Sequence, residues 1–186
     1  TEILLEVMKK AEVKELIFSS SAAVYGKSNL QPINEVSSTN PQSVYAKTKL
    51  AAEKLIEKYT RDYAFKAVSL RYFNPLGAHK DKIVYEVPDD NYGNIMPKLL
   101  CVLEGLEKEF IIYGNNYETR DGTGERDYLH ISDLIDGHFC ALEYLNQLEQ
   151  YEIFNLGTGK GVTVLELIEA FIKVAKKDIS YVIKDR

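Results

Sequence analysis

What this sequence lacks narrows its function first. No apolar run approaches the ~20 residues needed to cross a bilayer, so no membrane helix is expected. Positive charge is not in excess. With 23 Lys and Arg against 28 Asp and Glu, the net charge is −5, which argues against a nucleic-acid or anionic-membrane surface as partner. Cysteine is scarce: Cys101 and Cys140 are too few and too isolated for a disulfide framework, and a reducing cytoplasm fits. Of the three histidines, His79, His130 and His138, none lies four residues from another, and no zinc spacing occurs, so no metal site is expected. No repeat or low-complexity tract is visible, and the opening residues do not read as a signal peptide. What remains is 45% hydrophobic and 27% charged, the balance of a packed core. A chain of 186 residues suits one ordinary domain or two small ones.

Apolar residues at helical spacing (Leu4, Leu5, Met8, Ala11) predict an opening helix. ELIF, residues 15 to 18, reads as a buried strand running into a serine-rich turn. Asn40-Pro41 reads as the N-cap and first position of a helix reaching about Tyr63. KAVSLRY is the next strand, followed by a loop over residues 74 to 93. NIMPKLLCVLEGL is a helix, FIIYG a strand and NNYETRDGTGERD a long polar loop. HISDLIDGHFCALEYL is a helix and EIFNLG a strand. Thr163 and Glu166 fit a capping box for the helix TVLELIEAFIKVA, and ISYVI closes as a strand. This alternation predicts an α/β fold with a largely parallel sheet.

Two stretches carry candidate chemistry. SSSAAVYG (19 to 26) sets three hydroxyls after a strand, at the carboxyl edge where open α/β sheets bind ligands. Alternatively, the serines satisfy loose backbone groups of a turn. VYAKTK (44 to 49) puts Tyr45 and Lys49 on one helix face. A nearby cation favours the charged form of a phenol, so such a pair can be a general base, or merely a solvated face. NLGTGKG (155 to 161) has the wrong glycine spacing for a dinucleotide fingerprint and no suitably placed acidic residue after it.

Ser21, Tyr45 and Lys49 together form the constellation of the short-chain dehydrogenase/reductase superfamily. With RYFNPLGAH (71 to 79), NIMP, IIYG, DGTGERDYLHISDLIDGH (121 to 138) and IFNLGTGKGVTVLEL, the chain resembles, along essentially its whole length, the UDP-hexose 4-epimerases, extended members of that superfamily. The resemblance implies the carboxyl-terminal part of a Rossmann-type parallel sheet plus a small α/β substrate domain. Residues 1–75 would be a partial NAD-binding domain, and 76–186 mostly the sugar-nucleotide domain, interleaved with the first sheet. It implies NAD-dependent interconversion of UDP-glucose and UDP-galactose: removal and return of the C4 hydride through a 4-keto sugar. Tyr45 would be the acid/base, Ser21 its partner on the C4 hydroxyl and Lys49 the ligand of the nicotinamide ribose. Tyr72 and Phe73 would meet the cofactor. Asn74, Asn94, Ile95, Ile111, Tyr113 and Arg126 would meet the UDP-sugar, with Arg126 on a phosphate or, failing that, paired with Asp121 or Glu125. A homodimer through residues 1 to 12 and the Tyr45 helix is also implied.

Two departures stand out. The Ser-to-Tyr spacing is about one residue short of the family's pattern, and the family's G-x-x-G-x-x-G, which holds the pyrophosphate at a helix N-terminus, does not occur in the 186 residues. The chain also opens at Thr1, directly on a helical pattern. The expectation is therefore a central-to-late piece of an epimerase that alone neither holds NAD tightly nor turns over. Other nucleotide-sugar epimerases or dehydratases, and a non-catalytic sugar-nucleotide module, stay open as alternatives. Ala22 and Ala23, where a dehydratase would carry an acid pair, disfavour the dehydratase.

Overall fold

The computed structural model describes residues 1–27, 32–81, 83–85, 87 and 93–186. These divide into two units. The first comprises Thr1–Pro75 and Ser132–Gly157, the second Leu76–Ile131 and Thr158–Arg186.

In the first unit, β1 (Glu15–Ser21), β2 (Lys66–Tyr72) and β6 (Tyr151–Leu156) form a parallel sheet in the order β1-β2-β6. Successive side chains of a strand point to opposite faces. On one face Leu16, Phe18 and Ala67 pack with Leu5 and Met8 of α1 (Glu2–Lys10) and Ile56 and Tyr59 of α2 (Val44–Tyr63). On the other, Ile17, Val68 and Leu70 meet Ala141 of α4 (Ile131–Tyr144) and Leu145 and Leu148 beyond it. Covered on both sides, β2 buries five of its seven residues, Ala67 to Arg71, the polar Ser69 and Arg71 among them. Each fully buried aliphatic side chain here contributes about 1.5–3 kcal/mol.

Helix α2 begins later than Asn40-Pro41 suggested. Ser43 is its N-cap, accepting from the Ala46 amide at 3.1 Å, while the Asn40 carbonyl is held by the Gln42 side chain. β1 also runs further than expected, through all three serines, because each pairs in register with β2 up to Ser21 opposite Tyr72. A 3-10 turn, Ala22–Tyr25, follows, capped by the Ser21 hydroxyl, and ends at Gly26 with φ +68° and ψ −143°. A Cβ there would strike the Asn40 carbonyl. Gly26→Ala is therefore expected to cost about 1–3 kcal/mol, read as a drop in the urea midpoint. An unchanged midpoint would show that the turn can move.

A short strand, β3 (Asn74–Leu76), carries the chain into the second unit, in what was expected to be loop; the rest of that loop lies partly outside the described residues. The second unit holds α3 (Ile95–Leu103), β4 (Phe110–Tyr113), β5 (Glu125–His130), β7 (Gly161–Thr163), α5 (Val164–Ala175) and β8 (Tyr181–Lys184). β4 pairs parallel with β8, and β5 antiparallel with β7. Its core gathers Leu99, Phe110, Ile112, Ile168 and Ile179. β5 was not expected: residues up to Asp127 read as polar loop and His130 as the start of a helix. Its charged opening, Glu125-Arg126-Asp127, is extended because the backbone pairs with Thr163, Val162 and Gly161, a partner no local pattern announces.

Thr163 caps α5 in a full capping box with Glu166, and its hydroxyl also donates to Asp121. Arg120 grips both Glu166 and Glu125 and donates to the Gly161 carbonyl. The Arg120 hydrogen bond, aided by the Thr163 amide, pulls Glu166 down to about 2. For Asp121, burial pushes upward, but bonds from Thr163 and Thr123 outweigh it and hold the carboxyl below its ordinary value. Both groups bind fewer protons folded than unfolded. Their stabilisation is therefore complete above the unfolded carboxylate range and is lost as pH falls through their lowered values, for Glu166 about 2. Glu166→Gln is expected to lower the urea midpoint at about pH 6 but to approach the parent below about pH 3. A gap that does not narrow would contradict this.

Candidate active site

In the first unit, the carboxyl ends of β1 and β2 stand beside the first turns of α2. Tyr45, one residue into α2, is 55% exposed, and Lys49 follows a turn later on the same face. The Lys49 ammonium lies 5.5 Å from the Tyr45 ring centroid and donates to the Ser19 carbonyl at 2.8 Å. The ammonium is thus anchored to the last turn of the strand that presents Ser21. The Ser21 hydroxyl accepts from the Ala23 amide at 3.2 Å.

Tyr72 closes β2. Its hydroxyl meets Ser19 Oγ at 2.7 Å and His138 Nε2 at 2.6 Å. His138 Nδ1 faces the Leu134 carbonyl at 2.8 Å. A carbonyl only accepts, so Nδ1 carries a proton toward Leu134, while the Tyr72 hydroxyl donates to Ser19. Burial pushes the Tyr72 phenol up, against the Ser19 bond, and Tyr45 adds to the rise, so Tyr72 stays a neutral donor. His138 was missed from the sequence, and of the three candidate hydroxyls only Ser21 was given a role. The signal was the strand parity that puts Ser19 and Ser21 on the α4 face.

Beneath the turn lies a buried polar group, also unpredicted. Glu53 of α2 and Arg71 of β2 are each 3% exposed. Arg71 grips Glu53 through Nε (3.0 Å) and Nη2 (2.7 Å), and the Ser20 hydroxyl donates to the same carboxylate. Arg71 Nη1 donates to the Tyr25 hydroxyl at 2.8 Å, and Tyr25 donates to Asn155 Oδ1 at 2.7 Å. Burial alone would lower Arg71, but these bonds outweigh it and hold the guanidinium above its ordinary value.

Phe73 follows β2, its amide bonded to the Leu156 carbonyl at 3.0 Å, and Asn74 opens β3. The remaining predicted residues belong to the second unit. Asn94 is the N-cap of α3, with no cap bond from its side chain, and Ile95 is the helix's first residue. Ile111 and Tyr113 of β4 line a recess of about 140 Å³ with Lys98 and Cys101 of α3. That volume is smaller than the ~300–1,000 Å³ of a complete small-molecule site. Arg126 is exposed and donates to the Glu125 carbonyl at 2.7 Å. The carboxylates considered for it are bound elsewhere, Glu125 to Arg120 and Asp121 to Thr163 and Thr123. In the GTGKG loop, the amides of Thr158 and Gly159 and the Thr158 hydroxyl all donate to Asp127, which occupies these donors as a phosphate would. An apolar hollow of about 460 Å³ in the first unit, lined by Leu70, Gly137, Tyr144 and Phe154, holds none of the predicted residues. Among the described residues, no group of three His, Cys, Asp or Glu could hold a metal, and no helix is long and apolar enough to cross a membrane.

A parallel α/β sheet flanked by helices, with polar side chains gathered at its carboxyl edge, defines a Rossmann-type protein. A sequence model of the NAD dependent epimerase/dehydratase family matches residues 1–157, and the chain belongs to that family. It is 43% identical over 190 residues to the UDP-glucose 4-epimerase of Bacillus subtilis, covering 100% of this chain and 55% of that protein. It is 45% identical over 186 residues to UDP-glucose 4-epimerase 2 of Oryza sativa, covering 98% and 46%. Among solved structures, the UDP-glucose 4-epimerase of Bifidobacterium longum in complex with NAD+ and UDP superposes with a TM-score of 0.91 at 42% identity, over 99% of this chain and 55% of that one. That of Brucella ovis in complex with NAD gives 0.93 at 34%, over 100% and 57%. The chain thus spans about half the length of the relatives it matches.

Proposed function

We propose that this chain carries the proton-transfer residues and part of the sugar-nucleotide site of an NAD-dependent UDP-hexose 4-epimerase, interconverting UDP-glucose and UDP-galactose. The observation that carries the reading is the Tyr45–Lys49 stripe on α2, with Lys49 tied to the strand that ends in Ser21. Tyr45 takes the proton of the sugar's C4 hydroxyl and later returns it. Ser21 Oγ holds that hydroxyl. Lys49, Tyr72 and Phe73 would hold NAD, which would supply the reversible hydride acceptor for C4.

The donor set fits the cofactor: an ammonium and phenols at the carboxyl edge suit a ribose diol and a carboxamide, with Lys49 on the ribose and Tyr72 and Phe73 beside the nicotinamide. Asn74, Asn94, Ile95, Ile111 and Tyr113 take the nucleotide and sugar, and Arg126 takes a phosphate. The first unit then serves the cofactor and the second the substrate. The protein would act in the cytoplasm as a homodimer, joined through exposed apolar residues such as Ile3, Leu4 and Val7 of α1 and Val44 of α2.

The test is to supply the natural gene product with NAD and UDP-galactose and follow UDP-glucose by chromatography. Conversion supports the reading, and an absence of product at saturating cofactor rejects it.

A further inference from the structure

Three consecutive serines end β1, beside the helix that also carries Tyr45. Tyr45, Lys49 and Glu53 fall at i, i+4 and i+8, one stripe of α2. Lys49 is bonded to Ser19 and Glu53 to Ser20, neighbours on β1. Arg71 lies opposite Ser20 in the sheet register and clamps Glu53 with two bonds. The same guanidinium reaches Tyr25, at the far end of the 3-10 turn. Ser21 therefore hangs between two anchors, Ser20 and Tyr25, both fastened to one buried ion pair.

We infer that the Glu53–Arg71 pair, with Ser20 and Tyr25, is a positioning device that fixes the separation between Ser21 on β1 and Tyr45 on α2. The inference rests on the reading of Ser21 and Tyr45 as the proton-transfer pair. Stability alone does not account for the pair. A buried ion pair is often matched or bettered by apolar residues of similar volume, whereas a fork between strand and helix admits one register. Here Glu53 Oε1 takes Ser20 and Arg71 Nε, and Oε2 takes Arg71 Nη2. Sliding α2 by one residue against β1 would break all three bonds as well as that of Lys49. Ser20 and Ser21 point to opposite faces, so the clamp acts on the site without entering it.

The experiment compares the natural gene product with Ser20→Ala and with the apolar double replacement Glu53→Leu/Arg71→Met. For both, kcat for UDP-galactose is expected to fall about a hundredfold, the cost of roughly 1 Å of misplacement, while KM stays within about twofold. The double replacement is expected to unfold cooperatively at or above the parent's urea midpoint, separating positioning from stability. A folded double variant with parental kcat overturns the inference. If it does not fold, Ser20→Ala decides: parental kcat there overturns it. Should the parent itself show no turnover, the functional reading fails alone. Crystal structures of parent and Ser20→Ala then decide, and an unchanged Ser21–Tyr45 separation overturns the inference.

Discussion

Tyr45→Phe in the natural gene product is expected to lower kcat for UDP-galactose by about 10²–10⁴-fold, the usual contribution of a positioned acid/base. The substitution removes one hydroxyl and nothing else. Tyr45 is 55% exposed on the first turn of α2, so the phenyl ring leaves the core undisturbed and the urea midpoint should not move. KM should change little, because the hydroxyl acts on the transferring proton rather than on the nucleotide. Lys49→Met tests the neighbour. It removes the ammonium 5.5 Å from the ring and the bond to Ser19, and should lower both turnover and cofactor affinity. Parental kcat in Tyr45→Phe would end the catalytic assignment of this residue, whatever the protein as a whole does.

Much of this was legible before any coordinates, because its causes are local. KAVSLRY forms β2 at the residues expected, a short stretch with Val68, Leu70 and Tyr72 at strand spacing between polar segments. Thr163 and Glu166 predicted their capping box from spacing alone, and both halves are present. The Tyr45–Lys49 stripe follows from helical periodicity once α2 exists. The start of α2 was misjudged because two polar residues competed for the cap. Asn40 preceded a proline and looked sufficient, yet its carbonyl is tied back by Gln42, and Ser43 does the capping.

What escaped the sequence depends on partners distant in the chain. Arg71 reads as a strand-end charge that should reach water. It is buried because Glu53, eighteen residues earlier, and Tyr25, forty-six residues earlier, meet it there. His138 reads as one more residue of an amphipathic helix until β2 brings Tyr72 against it. The charged opening of β5 looks like loop because its partner strand is a three-residue piece more than thirty positions away. Arg120 was overlooked: it sits in a polar stretch beside other charges, and only the fold brings Glu166 and Glu125 to it.

The largest effect on stability should come from breaking the buried pair on one side only. Arg71→Met, with Glu53 retained, is expected to cost about 3–5 kcal/mol, the penalty of leaving a carboxylate buried without its cation. Among the described residues Glu53 would keep only the Ser20 hydroxyl as side-chain donor, and Tyr25 would lose the guanidinium that orders it against Asn155. Against a total stability of about 5–15 kcal/mol that is a large share. At a urea slope of about 2 kcal/mol/M the midpoint should fall by roughly 2 M. The cost comes from asymmetry rather than from charge as such. Adding Glu53→Leu to Arg71→Met removes the stranded carboxylate and should bring the midpoint back to the parent's or above, although the second change deletes the other half of the ion pair. Glu53→Leu alone should be as damaging as Arg71→Met, because it strands the guanidinium instead. If the double replacement were as unstable as the sum of its parts, the two residues would be acting independently, and the fork seen between them would contribute nothing to the fold.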